Sequence, residues 1–517
     1  MYPVSFSRFL SLVLLLFLMT WSQWSYAATK YVSTVGNNNN SGDSWALAWR
    51  TLQFAADHLV AGDSVWVADG NYTGFNMETS GTAANPIVFI TSGNNCVINV
   101  HNPTTMDGIN VEGADYVEVN GFRAINLPRN GIRLALSDHC IVRNTFCDHN
   151  LERGIFTGFT DDLLLEYNQC QFSTNEHGIY VSNSSDRSII RFNICHHNHG
   201  GGIQINADES QGGDGISTDP EIYGNVIYEN GVGGGAGINL DGVQSAFIYN
   251  NLLYENHASG IALFMQDGAA PSINALVVHN TIVNAADGRW CILAANGSFG
   301  AQVYNNILIH ENTNPSLPRG SIALDADAVS GFASDYNIVV NKLSKTGDGS
   351  FVPLSTWQTY GYDTHSMIAA PEVNIFVAPG TDYHLLTNAQ AVNTGNGNFS
   401  FGVNTDIEGI LRPQGSQVDI GAYEAQGSLA IDEDHVTPKY VPKPEPKIII
   451  GHESLTWPED LEGKMNILTV EGKLVTRLDI SSAGEYSFQS LSPGIYAASI
   501  SDRNGIQWST WFVWSGN

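Results

Sequence analysis

The chain has 517 residues, with 51 Asp+Glu against 22 Lys+Arg and a formal net charge of −29. A field of that sign repels nucleic acid and anionic lipid, which argues against a DNA, RNA or membrane-surface role. Charged residues make up only 14% of the chain while glycine numbers 52, a balance suited to many tight turns, and the length leaves room for two or three domains.

In chain order, Arg8 precedes an apolar run from Phe9 to Met19 and then the small-residue pattern Ser25-Tyr26-Ala27. That order predicts a signal peptide over residues 1–27 and a secreted or cell-surface protein. The run is too short to cross a bilayer core of roughly 30 Å, and no later segment is long enough, so no membrane span is expected. From Trp49 to Leu59 the apolar residues fall at helical spacing, with Gly62 as a stop signal. A helix there would cover the open end of the next part of the chain.

That next part is a repeat. A Gly-Ile pair recurs at Gly108-Ile109, Gly131-Ile132, Gly154-Ile155, Gly178-Ile179, Gly202-Ile203, Gly237-Ile238 and Gly260-Ile261. A second series places an asparagine near the end of a β-like run, at Asn120, Asn144, Asn168, Asn193, Asn225, Asn251, Asn280, Asn306 and Asn337. Two series in step describe one coil per ~23–25 residues, each stacked on the last at the inter-strand spacing. The isoleucines then point inward, the glycines permit the bend into the strand, and the asparagine amides bond from coil to coil. The leucine pattern and helical segments of leucine-rich repeats are missing. Cys147, Cys170 and Cys195 share the period, so stacked buried thiols are the first reading of the cysteines, with a disulfide or a metal site as alternatives.

The stretches "KYVSTVGNNNNSGDSWALAWRTLQFAADHL" and "GDSVWVADGNYTG" resemble the opening of the secreted pectate-lyase-like right-handed parallel β-helix superfamily. "DIEGILRPQGSQVDIGAYEAQ", residues 406–426, is similar to the closing motif of members with a choice-of-anchor ending. The resemblance implies an all-β solenoid, a right-handed parallel β-helix with an N-terminal capping helix, over residues 28–426. The superfamily holds lyases, hydrolases, epimerases and proteins without activity, so the fold alone does not name a reaction. Residues 427–447 are rich in proline and charge and read as an extended linker. Residues 448–517 alternate as short strands of a small β-sandwich, and Leu491-Ser492-Pro493-Gly494-Ile495-Tyr496 resembles the sorting domain of type IX secretion in Bacteroidota. The resemblance implies contact with the secretion machinery. A clear Pro-Asn-Pro start and a basic ending are missing, and an accessory carbohydrate-binding or spacer module is the alternative.

Strand parity places the chemistry. With the isoleucines inward, the next residues point outward as Asn110, Arg133, Phe156, Tyr180, Gln204, Asn239 and Ala262. Two positions on, the column reads Glu112, Ala135, Gly158, Ser182, Asn206, Asp241 and Phe264. Gln204, Asn206, Asn239, Asp241 and Arg133 are therefore the candidate substrate-binding residues. The step from Gly202 to Gly237 is long, and its extra residues form a loop carrying Asp208, Glu209, Asp214 and Asp219. Asp208, Glu209 and Asp214 are candidate oxygen ligands for Ca²⁺. For proton transfer, His177 is the candidate base and Tyr180 the acid, with Arg153, one coil before His177, neutralising a substrate carboxylate.

These residues suit β-elimination in an acidic, uronate-containing polysaccharide by a protein working as a single chain. A glycoside hydrolase using two carboxylates among Asp208, Glu209, Asp214 and Asp241, or a non-catalytic glycan-binding surface protein, are the alternatives. No lysine occurs between Lys30 and Lys342, so the lysine base of family 9 pectate lyases has no counterpart in the coils.

Overall fold

The structure, a computed structural model, describes residues 27–425 continuously and then a series of strands between residues 449 and 514. The predicted signal peptide, apart from Ala27, and the predicted linker lie outside the described residues. The chain divides into two compact units, Met1–Leu429 and Ala430–Asn517.

The first unit is a right-handed parallel β-helix of about 12 turns. Each coil supplies one strand to each of three parallel sheets, as with Ile179–Ser182, Ile189–Arg191 and Ile194–His196. The sheet built from the Gly-Ile strands has 11 strands, and the second and third sheets have 12 each. The isoleucines pair in register, Ile109 with Ile132, then Ile155, Ile179, Ile203, Ile238 and Ile261, all fully buried. Cys147, Cys170 and Cys195 stack the same way as buried free thiols. Burial, with its thiol neighbours, holds the Cys170 pKa well above the ordinary value.

The glycines serve a purpose other than the expected bend. None of the seven has a positive φ. A Cβ on Gly131 or Gly154 would lie 2.7 Å from the next coil's glycine carbonyl, and one on Gly178 would lie 2.9 Å from it. Only glycine lets the stacked chains approach that closely.

The corner between the second and third sheets carries Asn144, Tyr167, Phe192, Gly224, Asn250, His279, Asn305 and Tyr336 at φ between 50 and 65°. Left-handed backbone costs about 1–2 kcal/mol at a non-glycine residue. The residue after each corner offsets that cost. Asn168, Asn193, Asn225, Asn251, Asn280, Asn306 and Asn337 form an unbroken buried ladder, each amide donating to the next at 2.9–3.1 Å. The series departs from expectation at its start. Asn144 occupies the exposed corner itself, bonded to Asn120, and Thr145 takes the ladder position by donating to Asn168 Oδ1 at 2.7 Å. A second ladder, Asn198, Asn230 and Asn256, closes the corner leading back to the Gly-Ile sheet.

The N-terminal cap forms, but its helix is only Leu52–Ala56. Trp49 is drawn into backbone pairing with Tyr31 and Ser33, which delays the helix until Thr51 caps it. Gln53 then exchanges two hydrogen bonds with the backbone of Asn76, sealing the open edge of the Gly-Ile sheet. At the other end, residues 371–425 lie against the outer face of the third sheet. Ile375, Phe376, Tyr383, Leu385 and Ile420 cover Leu252, Val283, Ile307 and Ile338 there. The predicted closing motif is the latch of this segment. Buried Arg412 binds Glu424 at 2.8 Å and the Gly421 carbonyl at 2.8 Å, and it reaches Asn250 of the coil at 3.3 Å.

In the second unit, Ile449–Ile450, Ser454–Trp457 and Gly484–Ser487 form one antiparallel sheet. Gly463–Thr469, Leu474–Ile480, Gly494–Asp502 and Gln507–Trp514 form another. Among the described residues no helix is long and apolar enough to cross a membrane.

Asn251→Ala removes a ladder amide that accepts from Asn225 and donates to Asn280 and the Ile222 carbonyl. Each buried partner left unsatisfied costs about 1–3 kcal/mol, so the melting temperature should fall by several degrees. Asn144→Ala, which gives up one exposed amide bond and puts alanine at φ 53°, should cost about 1 kcal/mol, less than Asn251→Ala. Equal effects of the two substitutions in thermal melts would contradict the ladder.

Candidate active site

The outward positions of the Gly-Ile sheet form a groove floor whose middle is closed in rather than flat. Asn110, Gln204, Asn206, Asn239 and Asp241 are almost wholly buried, while Arg133, Phe156 and Tyr180 are half-buried. In-register stacking puts Tyr180 beside Gln204 and Ser182 beside Asn206. The loop after Asn206 is pinned at Gly215, whose N–H donates to Ser184 Oγ, and at Glu209, whose N–H donates to the Asp267 carbonyl. The loops 207–216 and 264–272 meet where these strands end, through the Glu209 N–H and the Asp267 carbonyl, and Asp267 reaches down to Asn206.

His177, Tyr180 and Arg153 come together at this face of the sheet. The Arg153 guanidinium lies 4.7 Å from the Tyr180 ring centroid and 5.1 Å from that of Phe156. The His177 ring meets Tyr180 edge-on at 5.3 Å. Arg153 is also paired with Glu152 at 2.9 Å and Glu176 at 3.5 Å. His177 Nδ1 accepts the Gly201 N–H at 2.7 Å, which leaves the proton on Nε2, directed at Glu176 3.4 Å away. Burial, then the Arg153 charge, pushes the His177 pKa down to about 4, so the imidazole is neutral at pH 7. The Tyr180 hydroxyl accepts from Asn206 Nδ2 at 2.9 Å, and burial pushes its pKa up.

The remaining predicted residues divide into groups. Asn239 donates to Gln204 at 2.5 Å, next to Tyr180 on the floor. Arg133 lies two coils from Tyr180, donating to Asn110 at 2.7 Å and paired with Glu112. Asp241 is held by the loop 264–272: its carboxylate accepts the N–H groups of Gln266, Asp267 and Gly268. That role is positional, since both oxygens are already engaged. Asp208 and Glu209 line an open pocket of about 550 Å³ with Ser210, Gln266 and Asp267. Asp214 stands apart from it, its carboxylate accepting the Ile216 N–H.

Strand parity does not identify Asp267, whose Oδ2 accepts from Asn206 Nδ2 at 3.1 Å, or Glu176, which faces both Arg153 and His177. A signal for Asp267 is nonetheless present in the chain. The step from Asn251 to Asn280 is 29 residues, longer than its neighbours, which marks an excursion between Phe264 and Ser272.

Residues 57–262 match the family described as periplasmic copper-binding protein NosD. Among solved structures, the chain is similar to pectate lyase Pel9A, with 16% identity and a TM-score of 0.49 over 78% of this chain and 97% of that one. It is also similar to an alginate lyase from Paenibacillus sp. str. FPU-7, with 21% identity and a TM-score of 0.41 over 49% of this chain and 90% of that one. A rhamnogalacturonan lyase matches at 15% identity and a TM-score of 0.40 over 54% and 82%. No curated protein matches the chain.

The residues present do not fit copper. Among the described residues, no three His, Cys, Asp or Glu side chains are grouped to hold a metal ion. The stacked cysteines are buried, and the raised Cys170 pKa disfavours the thiolate that copper takes. His196 and His197 are hydrogen-bonded to each other at 2.8 Å, and His197 is paired with Glu229. Nor are Asp208, Glu209 and Asp214 brought together as a calcium ligand set.

The His177 environment has a consequence for stability. Its folded pKa of about 4 lies below the ordinary value of 6.5, so between those pH values the unfolded chain binds a proton that the folded chain does not. That contribution to stability is complete above about pH 6.5 and declines as the pH falls toward 4. In urea unfolding at pH 7 and pH 4.5, His177→Gln should lose less stability between the two than wild type does. An equal loss would show that the imidazole is not held neutral.

Proposed function

We propose that the protein is an exported polysaccharide-active enzyme that cleaves uronate-containing glycan by β-elimination at Arg153, His177 and Tyr180. The observation that carries this reading is the Arg153 guanidinium set over the Tyr180 ring, beside a neutral imidazole, on the outward face of the Gly-Ile sheet where Tyr180 bonds Asn206 under the Asp267 loop. The export reading rests on the leader-like pattern up to Ala27.

Elimination needs three groups, and each has a residue. Arg153 lies against the substrate carboxylate and offsets the charge that develops when the adjacent C5 proton leaves. His177, uncharged above about pH 4, takes that proton by exchanging its Gly201 bond for it. The C5–H electron pair becomes the C4–C5 double bond, the C4–O bond breaks, and Tyr180 gives its proton to the departing oxygen. Asn206 holds the Tyr180 oxygen in place, while Gln204 and Asn239 bind hydroxyl groups along the floor.

Wild type should generate the ultraviolet absorbance of an unsaturated uronate, and chelator should not abolish it, because Arg153 supplies the positive charge. Tyr180→Phe and His177→Gln should each reduce the rate about 10²–10⁴-fold. The acid limb of the rate profile should fall near pH 4, rather than near the 6.5 of an ordinary histidine. New reducing ends without absorbance would replace this mechanism with hydrolysis by carboxylates of the pocket, Asp208, Glu209 and Asp267. Calcium-dependent turnover would transfer charge neutralisation from Arg153 to a cation held by those same carboxylates.

A further inference from the structure

Two buried polar atoms beside Tyr180 have no hydrogen-bond partner among the described residues, and they are of opposite kinds. One is Arg153 Nε, a donor, and the other is Asn206 Oδ1, an acceptor. Asn206 is 6% exposed, and its amide nitrogen lies between Tyr180 and Asp267, donating one hydrogen to each, which leaves the oxygen of the same buried amide without a partner. A donor suits a carboxylate. A buried amide oxygen beside a carboxylate repels one, and instead accepts from a hydroxyl, amide or ammonium group.

The cationic groups, though not the net charge, follow the same division. Arg129, Arg133 and Arg153 all belong to coils up to Ile155, and each has a carboxylate partner: Asp107, Glu112, and Glu152 with Glu176. From Arg191 to Arg289 no lysine or arginine intervenes in the sequence, while Asp208, Glu209, Asp214, Asp241 and Asp267 all fall in that interval. A chain of consecutive uronates laid across Tyr180 would meet Arg153 with one carboxylate and press the next against Asn206 and Asp267. Even one such like-charge contact lowers affinity severalfold or more.

We infer that the two sugars flanking Tyr180 are chemically unlike: a uronate at Arg153 and a neutral or amino sugar at Asn206 and Asp267, so that the substrate is an alternating heteroglycan and not a homopolyuronate. This deepens the reading of the groove as a uronate-glycan site and rests on it. Asp267 and Glu209 become specificity-determining residues, selecting against a second carboxylate by repulsion.

Binding tests the inference separately from catalysis. The Tyr180→Phe protein is run in native gels containing polygalacturonate, polyguluronate, an alternating galacturonate–rhamnose polymer, or hyaluronan, which alternates glucuronate with an acetylated amino sugar. Retardation by an alternating polymer should occur at concentrations about tenfold lower than by either homopolymer. In the same background, Glu209→Lys with Asp267→Asn should narrow that preference at least threefold by admitting the homopolymers. Both replaced side chains are exposed, and a thermal melt like that of the parent establishes that the fold is intact. Equal or stronger retardation by a homopolymer, no retardation by any of the four, or an unchanged preference in the double variant would each overturn the inference. Wild-type absorbance assays on the same polymers judge elimination by itself: turnover confined to a homopolymer would keep the lyase reading and remove the heteroglycan one.

Discussion

Everything in this protein depends on parallel strands stacking in register, one coil on the next, without slippage. A displacement of one residue would turn every inward isoleucine to solvent and every outward side chain into the core. Hydrophobic burial sets the parity, but the asparagine ladders fix the register. Each amide must meet a carbonyl, an N–H and its own neighbour at once, at 2.8–3.1 Å, and no shifted arrangement repeats that geometry down the stack. The glycines at the start of each Gly-Ile strand serve the same end, leaving no Cβ to hold the coils apart.

A stack of this kind has two open ends and a long exposed flank, and the chain spends its irregular segments there. Gln53 satisfies the backbone of the first Gly-Ile strand in place of a missing neighbour. Residues 371–425 fold over the third sheet and are latched through Arg412, whose buried charge is met by Glu424 and by carbonyl groups. The long loops, by contrast, gather where the Gly-Ile strands end. They meet over one stretch of repetitive sheet, and they make Tyr180 and Asn206 part of one network with Asp267.

The architecture is legible in the sequence because it repeats. Two motifs recurring together over many coils reveal period, parity and inward face, and the cysteine stack and groove floor follow from these alone. Features that do not repeat are harder to read. The helix at the cap is shorter than its apolar spacing suggests, because the Trp49 backbone finds a partner in Tyr31 and Ser33 that periodicity does not register. Asn144 matches the ladder by context yet falls one residue early, at the left-handed corner, and Asn120, in register with Arg143, falls two residues early. Asp241 looks like a groove carboxylate but caps a loop. Asp267 lies in an excursion whose length is visible in the sequence and whose direction is not.

The order of residues alone sets the coil period, the division of side chains between core and solvent, and the meeting of Arg153, His177 and Tyr180. Those follow from strand pleating and a constant repeat, which are local rules applied many times. The tuning of those three groups comes from the folded arrangement instead. Desolvation holds His177 neutral, the Gly201 amide selects its tautomer, and the loop carrying Asp267 brings a carboxylate to Asn206. Each of these depends on distances between segments remote in sequence, and electrostatic energies vary with distance and burial in a way no spacing along the chain encodes.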